Sequence, residues 1–399
     1  MVTLIGMGSG KWEALSAQAQ QAVRSAGLVF GAKRLLAGLP ADCTARQFAR
    51  YQPADILETL AQNPGQDAAV LYSGDTGFYS GAFRSAHAVC GRWAIPARVY
   101  PGVSSIQLLS AALGRPWQDW KLVSAHGCAC DPVAECMMNR SVFFLTGGTE
   151  TPASLCQKLT DAGMGEAHGV VGENLGTEAE AIRYGSAAEL AGQSFAPLSV
   201  LLVENFDLPQ LRAPGFPDES FIRSEVPMTK QEVRAAALAK LAVMPTDTLW
   251  DVGAGTGSVS VELALAAPKG RVYAVECEPD ACELIRKNRA KFHACNLILI
   301  EGRAPDVLAD LPAPDAVFIG GTKGGMEAVL DEVLGKNPNA RICISAIALE
   351  TLGAAIAALT ARGLTAEVTQ IAVSRTKPAG RLHLLMANNP IFLITGTRK

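Results

Sequence analysis

At 399 residues the chain has the length of two or three domains. A hydrophobic fraction of 49% with 18% charged residues suits a globular protein with sizeable cores. The formal charge of −3 excludes a global pull towards nucleic acid or an anionic membrane, so any anionic ligand must be met by local basic residues.

The apolar run Val2–Ile5 predicts a strand, and it breaks into the glycine loop Gly6-Met7-Gly8. No basic stretch precedes it, so a secretory signal is not expected and the reading is cytoplasmic. A helix is expected over Trp12–Ala26 and another over Ile56–Gln62. Strands are expected at Ala69–Tyr72 and Ala97–Val99, then a helix over Ser105–Ala112 with Ser104 as a candidate cap. Leu113-Gly114-Arg115-Pro116 reads as an internal break, so this half divides into two lobes. Strands follow at Lys121–Ser124, Ser141–Leu145, Gly169–Gly172 and Ser199–Val203, with a helix at Thr151–Ala162. Such alternation predicts α/β layers over residues 1–206.

Residues 207–227 are rich in proline and read as a linker. The second domain, residues 228–399, begins with a helix over Lys230–Met244. Then come strand Thr248–Val252, helix Ser258–Ala266, strand Arg271–Glu276, helix Pro279–Ala290 and strands Leu297–Ile300 and Asp315–Ile319. Helix Glu327–Leu334, strand Arg341–Ser345 and helix Leu349–Ala361 complete the series. Ala366–Val373 and Leu382–Ala387, running on towards Phe392–Thr395, leave no room for a helix and predict an antiparallel hairpin on the sheet edge. Ile344–Ala361 is the most apolar long stretch, yet it carries Glu350 and several Ser, Thr and Gly residues. It is too polar to span a membrane.

The ten cysteines are scattered: Cys43, Cys90, Cys128, Cys130, Cys136, Cys156, Cys277, Cys282, Cys295 and Cys343. Only Cys128-Ala-Cys130 is a tight cluster, and it lacks a second pair. Reduced, mostly buried thiols and no metal site are expected.

A second glycine loop, Asp251-Val252-Gly253-Ala254-Gly255-Thr256-Gly257, follows the strand at Thr248. The dinucleotide fingerprint would put its third glycine where this chain has Ser258, so a pyrophosphate is not expected there. The loop instead lets backbone pass close to an uncharged adenosine and an amino-acid tail. Glu276, ending the next strand, can accept hydrogen bonds from both ribose hydroxyls. Asp251 is placed to face the sulfonium and ammonium of S-adenosylmethionine.

On these stretches, with Met228-Thr229-Lys230, Glu232-Val233-Arg234, Glu301-Gly302-Arg303-Ala304-Pro305 and Phe318-Ile319-Gly320-Gly321, residues 228–399 resemble the decarboxylating precorrin methyltransferases. The resemblance implies a class I Rossmann-like fold with a terminal antiparallel hairpin. It also places Gly302 and Arg303 at the cofactor, Arg303 standing where many class I enzymes keep an Asp near the adenine.

In the first half, Ser73-Gly74-Asp75-Thr76-Gly77-Phe78-Tyr79, Pro101-Gly102-Val103-Ser104-Ser105 and Ser124-Ala125-His126-Gly127 each follow a strand. In this order, with Phe144-Leu145-Thr146 and Gly172-Glu173-Asn174-Leu175-Gly176, they resemble the tetrapyrrole methylases of the CbiE type. That implies a class III methyltransferase fold with S-adenosylmethionine in a cleft between two lobes. Gly6, Gly8, Gly74, Asp75, Ser104, Ser105 and Thr146 become the implied contacts, mostly through backbone. Thr76 replaces the usual proline, and Cys128 replaces an arginine often found after His-Gly.

The two halves together resemble the fused precorrin-6Y methyltransferases of cobalamin biosynthesis. The resemblance implies methylation of precorrin-6B at carbon 5 by the first domain, and methylation at carbon 15 with decarboxylation of the ring C acetate by the second, giving precorrin-8. The cobalt-containing version of the step stays open. A homo-oligomer, dimer or tetramer, is implied, with no nucleic-acid or membrane partner. A class I RNA or protein methyltransferase with a non-catalytic, tetrapyrrole-binding first half is the rival, but the second half has few aromatics and no Lys/Arg-rich run, and the glycine loops of the first half are intact. Arg375, Lys377 and Arg381 form a basic loop that either binds substrate carboxylates or is a solvated turn, and Lys323 is a further candidate of the same kind. His126 is either a proton carrier or the donor of a turn-stabilising hydrogen bond.

Overall fold

In this computed structural model, residues 1–80, 82 and 97–398 are described; Cys90 lies outside them. The chain forms two compact units: Met1–Cys130, Ser141–Thr160 and Gly165–Glu204 in one, and Asp131–Arg140, Asp161–Met164 and Asn205–Lys399 in the other.

The first unit holds two five-stranded sheets. In one, β1 (Val2–Gly6), β2 (Leu28–Phe30), β3 (Arg46–Phe48), β4 (Ala68–Tyr72) and β5 (Ala97–Tyr100) run parallel in the order β3-β2-β4-β1-β5. Every residue of β1 is buried because both faces of a parallel sheet are covered. Leu4 packs on one face with Phe30, Ile56 and Val70, and Ile5 on the other with Val29 and Leu71. In the second sheet, β6 (Lys121–Ser124), β7 (Ser141–Leu145), β8 (His168–Glu173), β9 (Ala181–Ser186) and β10 (Ser199–Glu204) run in the order β6-β7-β10-β8-β9. Only the β6–β7 pair is parallel. The helix expected from Trp12 starts instead at Ala17. Ser16 caps it by accepting from the Ala19 N–H at 3.2 Å, and a separate 3-10 turn covers Trp12–Ala14.

The second unit is built on β11 (Thr248–Val252), β12 (Arg271–Glu276), β13 (Leu297–Glu301), β14 (Ala316–Ile319), β15 (Arg341–Ala346), β16 (Thr365–Ile371), β17 (Ser374–Ala379), β18 (Leu382–Ala387) and β19 (Ile391–Thr397). Seven of these form one sheet, β13-β12-β11-β14-β15-β19-β16, with β19 antiparallel between β15 and β16. This is the methyltransferase-like arrangement expected, with one difference. The partner of β16 is β19, whereas β17 and β18 pair only with each other as a separate ribbon. β19 is the better sheet strand because its Leu393 and Ile394 are buried in the two cores, while every residue of β18 is exposed.

The proline-rich segment expected as a linker is part of this unit, and it packs into the core from Gly215 onward. Phe216 and Phe221 are buried in its core and lie 5.2 and 4.7 Å from the Phe292 ring. Arg234, wholly buried on the helix Gln231–Leu241, binds the segment. It donates to Glu262 Oε1 at 2.7 Å and Asp218 Oδ1 at 2.9 Å, while Glu262 also accepts from the Phe216 N–H at 3.1 Å. A buried carboxylate needs this many partners to offset its lost hydration.

Of the cysteines described, Cys136, Cys156, Cys282 and Cys343 are buried, whereas Cys128 and Cys277 are exposed. Among the described residues no helix is long and apolar enough to cross a membrane.

Candidate functional site

A cavity of about 1110 Å³ opens in the second unit at the C-terminal ends of β11, β12 and β14. That edge is where open α/β sheets bind ligands. Asp251, Gly253, Gly255, Glu276, Gly302, Arg303 and Lys323 all line it. Gly257 does not. It turns at φ 74°, where a Cβ would lie 2.9 Å from Ile285, so its part is to seat the following helix. Gly253 is required by close approach, since a Cβ there would lie 2.3 Å from the Gly321 carbonyl oxygen.

Glu276 is buried at the end of β12. Its Oε2 accepts from the Gly255 N–H at 2.8 Å, and its Oε1 accepts from the N–H groups of Cys277 at 2.8 Å and Glu278 at 2.9 Å. The carboxylate thus fastens the glycine loop to the neighbouring strand end. Asp251 is 1% exposed. Ser260 donates to its Oδ2, while Oδ1 has no protein partner, and neither does the buried hydroxyl of Thr256 beside it in the loop. Burial pushes the Asp251 carboxyl up to about 7, with Glu276 adding to the rise and Ser260 opposing it. A buried acceptor and a buried hydroxyl, both unpaired, on the wall of one cavity fit a ligand that carries cationic and polar groups.

Arg303 Nη2 donates to the Lys323 carbonyl at 3.4 Å. The Lys323 ammonium donates to Glu278, which raises its pKa. Val226 to Lys230 also line the cavity, placed there by the segment that Arg234 binds. Sequence reasoning missed Arg234, Glu262 and Ser260 as site builders. One signal existed for Arg234: it is a charged residue among Val233, Ala237, Leu238 and Leu241 on a buried helix face.

In the basic loop, Arg375 is already engaged within the protein. Arg375 Nη2 donates to Glu232 Oε1 and Oε2 at 2.9 and 2.8 Å, and its Nη1 lies 3.5 Å from Asp218. This pairing holds the Glu232 carboxyl below its usual range. The guanidinium is a tie between ribbon and helix. Lys377 lies on β17 and Arg381 just beyond it at the turn, and neither lines the cavity. A six-residue strand spans roughly 20 Å, which carries the turn that far from the ribbon base at Val373 and Asn388.

In the first unit Gly6, Gly74 and Gly102 stand where β1, β4 and β5 end. A Cβ on Gly6 would lie 2.6 Å from the Gly102 nitrogen, so the three strand ends close on each other backbone to backbone. Gly8 and Gly74 exchange N–H to carbonyl bonds of 3.1 and 2.9 Å. Asp75 accepts from the N–H groups of Gly102 at 3.1 Å and Gly77 at 2.7 Å. Ser104 is buried, and its N–H and hydroxyl donate to Gln107 Oε1, fixing the start of the helix that opens with Ser105. From the second sheet, the Thr146 hydroxyl donates to the Ser199 carbonyl at 2.5 Å. The loop after β8 reaches the loop after β1, since a Cβ on Gly176 would lie 2.9 Å from Ser9. His126 Nδ1 lies 3.1 Å from the Thr146 carbonyl. A carbonyl only accepts, so Nδ1 is the donor of this hydrogen bond.

The family described as tetrapyrrole (corrin/porphyrin) methylases matches residues 1–191, and the precorrin methyltransferase domain family matches residues 220–398. The precorrin-6Y C(5,15)-methyltransferase (decarboxylating) of Sinorhizobium sp is 32% identical over 83% of this chain and 81% of its own length. A probable cobalt-precorrin-6B C(15)-methyltransferase (decarboxylating) of Pyrobaculum calidifontis is 46% identical over 46% of this chain and 95% of its own. Among solved structures, a precorrin-6Y C5,15-methyltransferase from Geobacter metallireducens is 38% identical with a TM-score of 0.46, covering 47% of this chain and all of that one.

Proposed function

This chain belongs to the precorrin-6Y C(5,15)-methyltransferase (decarboxylating) family, and from that premise we propose how its two units divide the work. It is an S-adenosylmethionine-dependent methyltransferase of cobalamin biosynthesis that methylates a precorrin at carbons 5 and 15 and removes the ring C acetate carboxyl. The first unit methylates carbon 5. The second methylates carbon 15 and decarboxylates. The observation that carries this division is the relative aligned across both units, beside single-unit relatives named for carbon 15 alone. Mass spectrometry of the purified chain with precorrin-6B and S-adenosylmethionine is expected to show two added methyls and one lost carbon dioxide. A single methyl gain overturns the division. Metal-free precorrin is the substrate favoured by the name of the full-length relative, and a parallel assay with the cobalt form decides between them.

When bound, the donor supplies an already activated methyl group. The protein's share is to orient. In the second unit Glu276 and the Gly253–Gly255 loop hold the ribose side, Gly302 and Arg303 the adenine side, and Asp251 Oδ1 faces the cationic end. Lys323 is placed to leave Glu278 for a substrate carboxylate. Holding two reactants in line can contribute about 7–11 kcal/mol, so no strong acid or base is required. In the first unit Gly6, Gly8, Gly74, Asp75, Ser104, Ser105 and Thr146 shape the donor site, and His126 holds the turn beside Thr146.

Asp251 gives this site a pH dependence. Its ionised form attracts the donor's cationic groups, and its folded pKa of about 7 lies above the ordinary value of 3.8. Donor affinity in the second unit is therefore expected to fall as pH drops below about 7, with proton release on binding there. Calorimetry in buffers of different ionisation enthalpy measures the release, and Asp251→Asn should abolish it.

Leu382, Leu384, Leu385 and Met386 are exposed on a two-stranded ribbon, which is marginally stable alone. A second copy of the chain is their proposed cover, within a cytoplasmic homo-oligomer. Leu385→Lys should shift the protein to a smaller species in light scattering, and an unchanged mass would refute that cover.

A further inference from the structure

Arg34 belongs to no motif singled out above. It stands on the short helix Lys33–Leu36, just past the C-terminal end of β2. Its Nη2 donates to the Ser73 hydroxyl at 2.6 Å, and Ser73 is the first residue beyond β4. On the other side runs the loop after β1. A Cβ on Gly10 would lie 3.9 Å from Arg34 Nη1, and a Cβ on Gly38 would lie 2.6 Å from the Gly10 carbonyl, so the loop is packed onto this helix. The guanidinium therefore stands among three strand-end loops, on the same sheet edge as Gly8, Gly74 and Asp75.

Arg24, Arg50, Arg115 and Arg183 of the first unit each pair with an acid (Asp42, Glu58, Glu204 and Glu173), while Arg46 and Arg98 donate to the Asn63 amide oxygen and the Tyr100 hydroxyl. Arg34 forms no ion pair with any described residue, and residues 81–96 contain no Asp or Glu. Asp75, the acid nearest in sequence to Ser73, has both oxygens committed to the N–H groups of Gly77 and Gly102. A guanidinium carries five donors in a fork that matches a carboxylate. Among the described residues, only Ser73 takes one of them.

We propose that Arg34 binds a ligand carboxylate in the first unit. This rests on the reading that the unit methylates a tetrapyrrole, and two sources share the chemistry: a tetrapyrrole side chain and the amino-acid tail of the methyl donor. The test uses the full chain with Arg34→Gln and Arg34→Lys. It follows carbon-5 methylation by mass spectrometry, KM for the precorrin, and S-adenosylhomocysteine binding by calorimetry. Arg34→Gln is expected to lose about 10- to 100-fold in kcat/KM at carbon 5, with carbon-15 methylation unchanged in the same molecule. Arg34→Lys keeps the charge without the fork and should recover only part of the loss. A raised KM for precorrin with intact S-adenosylhomocysteine binding assigns the carboxylate to the tetrapyrrole, and weakened binding of S-adenosylhomocysteine assigns it to the donor. Unchanged values for both overturn the role of Arg34. A wild-type chain that adds no methyl at carbon 5 overturns the underlying reading and the assignment with it.

Discussion

Replacing Glu276 by alanine is expected to take the chain from two bound donor molecules to one. Three backbone N–H groups, from Gly255, Cys277 and Glu278, end on this one carboxylate. Its removal leaves them without their acceptor in a largely buried place, at about 1–3 kcal/mol for each group that water does not reach. The Gly255 end of the loop then loses its tie to β12, and the acceptors for the ribose hydroxyls go with it. Hydrogen bonds to a charged group contribute about 1.5–3 kcal/mol each, so losing two weakens donor binding by about 10²- to 10⁴-fold. Titration of the intact chain with S-adenosylhomocysteine reads this as a stoichiometry. Wild type should bind two equivalents and Glu276→Ala one. Carbon-5 methylation should persist in the variant while carbon-15 methylation and carbon dioxide release disappear. Two undiminished sites in the variant would remove Glu276 from the donor site.

Much of the second unit was legible because its signals are local. A strand ending in Asp251, a glycine loop, a helix and a strand ending in Glu276 lie within one stretch of chain, and parallel pairing of β11 with β12 brings them together. Gly253 needed no tertiary information either, since few residues other than glycine let two strand-end loops touch. What stayed hidden was set by partners far away in sequence. Arg375 and Lys377 read as free cations because nothing near them is acidic, yet Glu232 and Asp218 reach Arg375 across the fold. The ribbon was misjudged for a related reason. Pairing of β16 with β19 skips the intervening strands, and local alternation of apolar residues does not say which partner wins. Prolines in the segment 207–227 signalled a linker, but the segment's two phenylalanines and Arg234 decide its fate through packing. In the first unit the short strands Leu28–Phe30 and Arg46–Phe48 carry too few residues for any periodicity, so only the sheet reveals them.

Arg234→Ala is the second change with a large expected effect. Arg234 and Glu262 are wholly buried, and Asp218 nearly so. Removing the cation leaves Glu262 with no cationic partner and Asp218 with Arg375 alone, at 3.5 Å, and breaking a buried pair in this way costs about 3–5 kcal/mol. In a domain of this size each kcal/mol moves the melting temperature by about 2–4 °C, so the second unit should melt roughly 6–20 °C lower. The loss should be felt at the cavity as well. Glu262 fastens Gly215 and Phe216, Asp218 accepts from the Gln231 N–H at 2.9 Å, and the residues between them lead to Val226–Lys230 on the cavity wall. Donor binding by the second site should weaken even below the new melting point, while the first site keeps its affinity. Arg234→Lys keeps the charge without the fork and should destabilise less than the alanine change. Calorimetric scans of the wild type and the two variants test this order. If Arg234→Ala melts with the wild type, the network is not what holds the cavity wall in place.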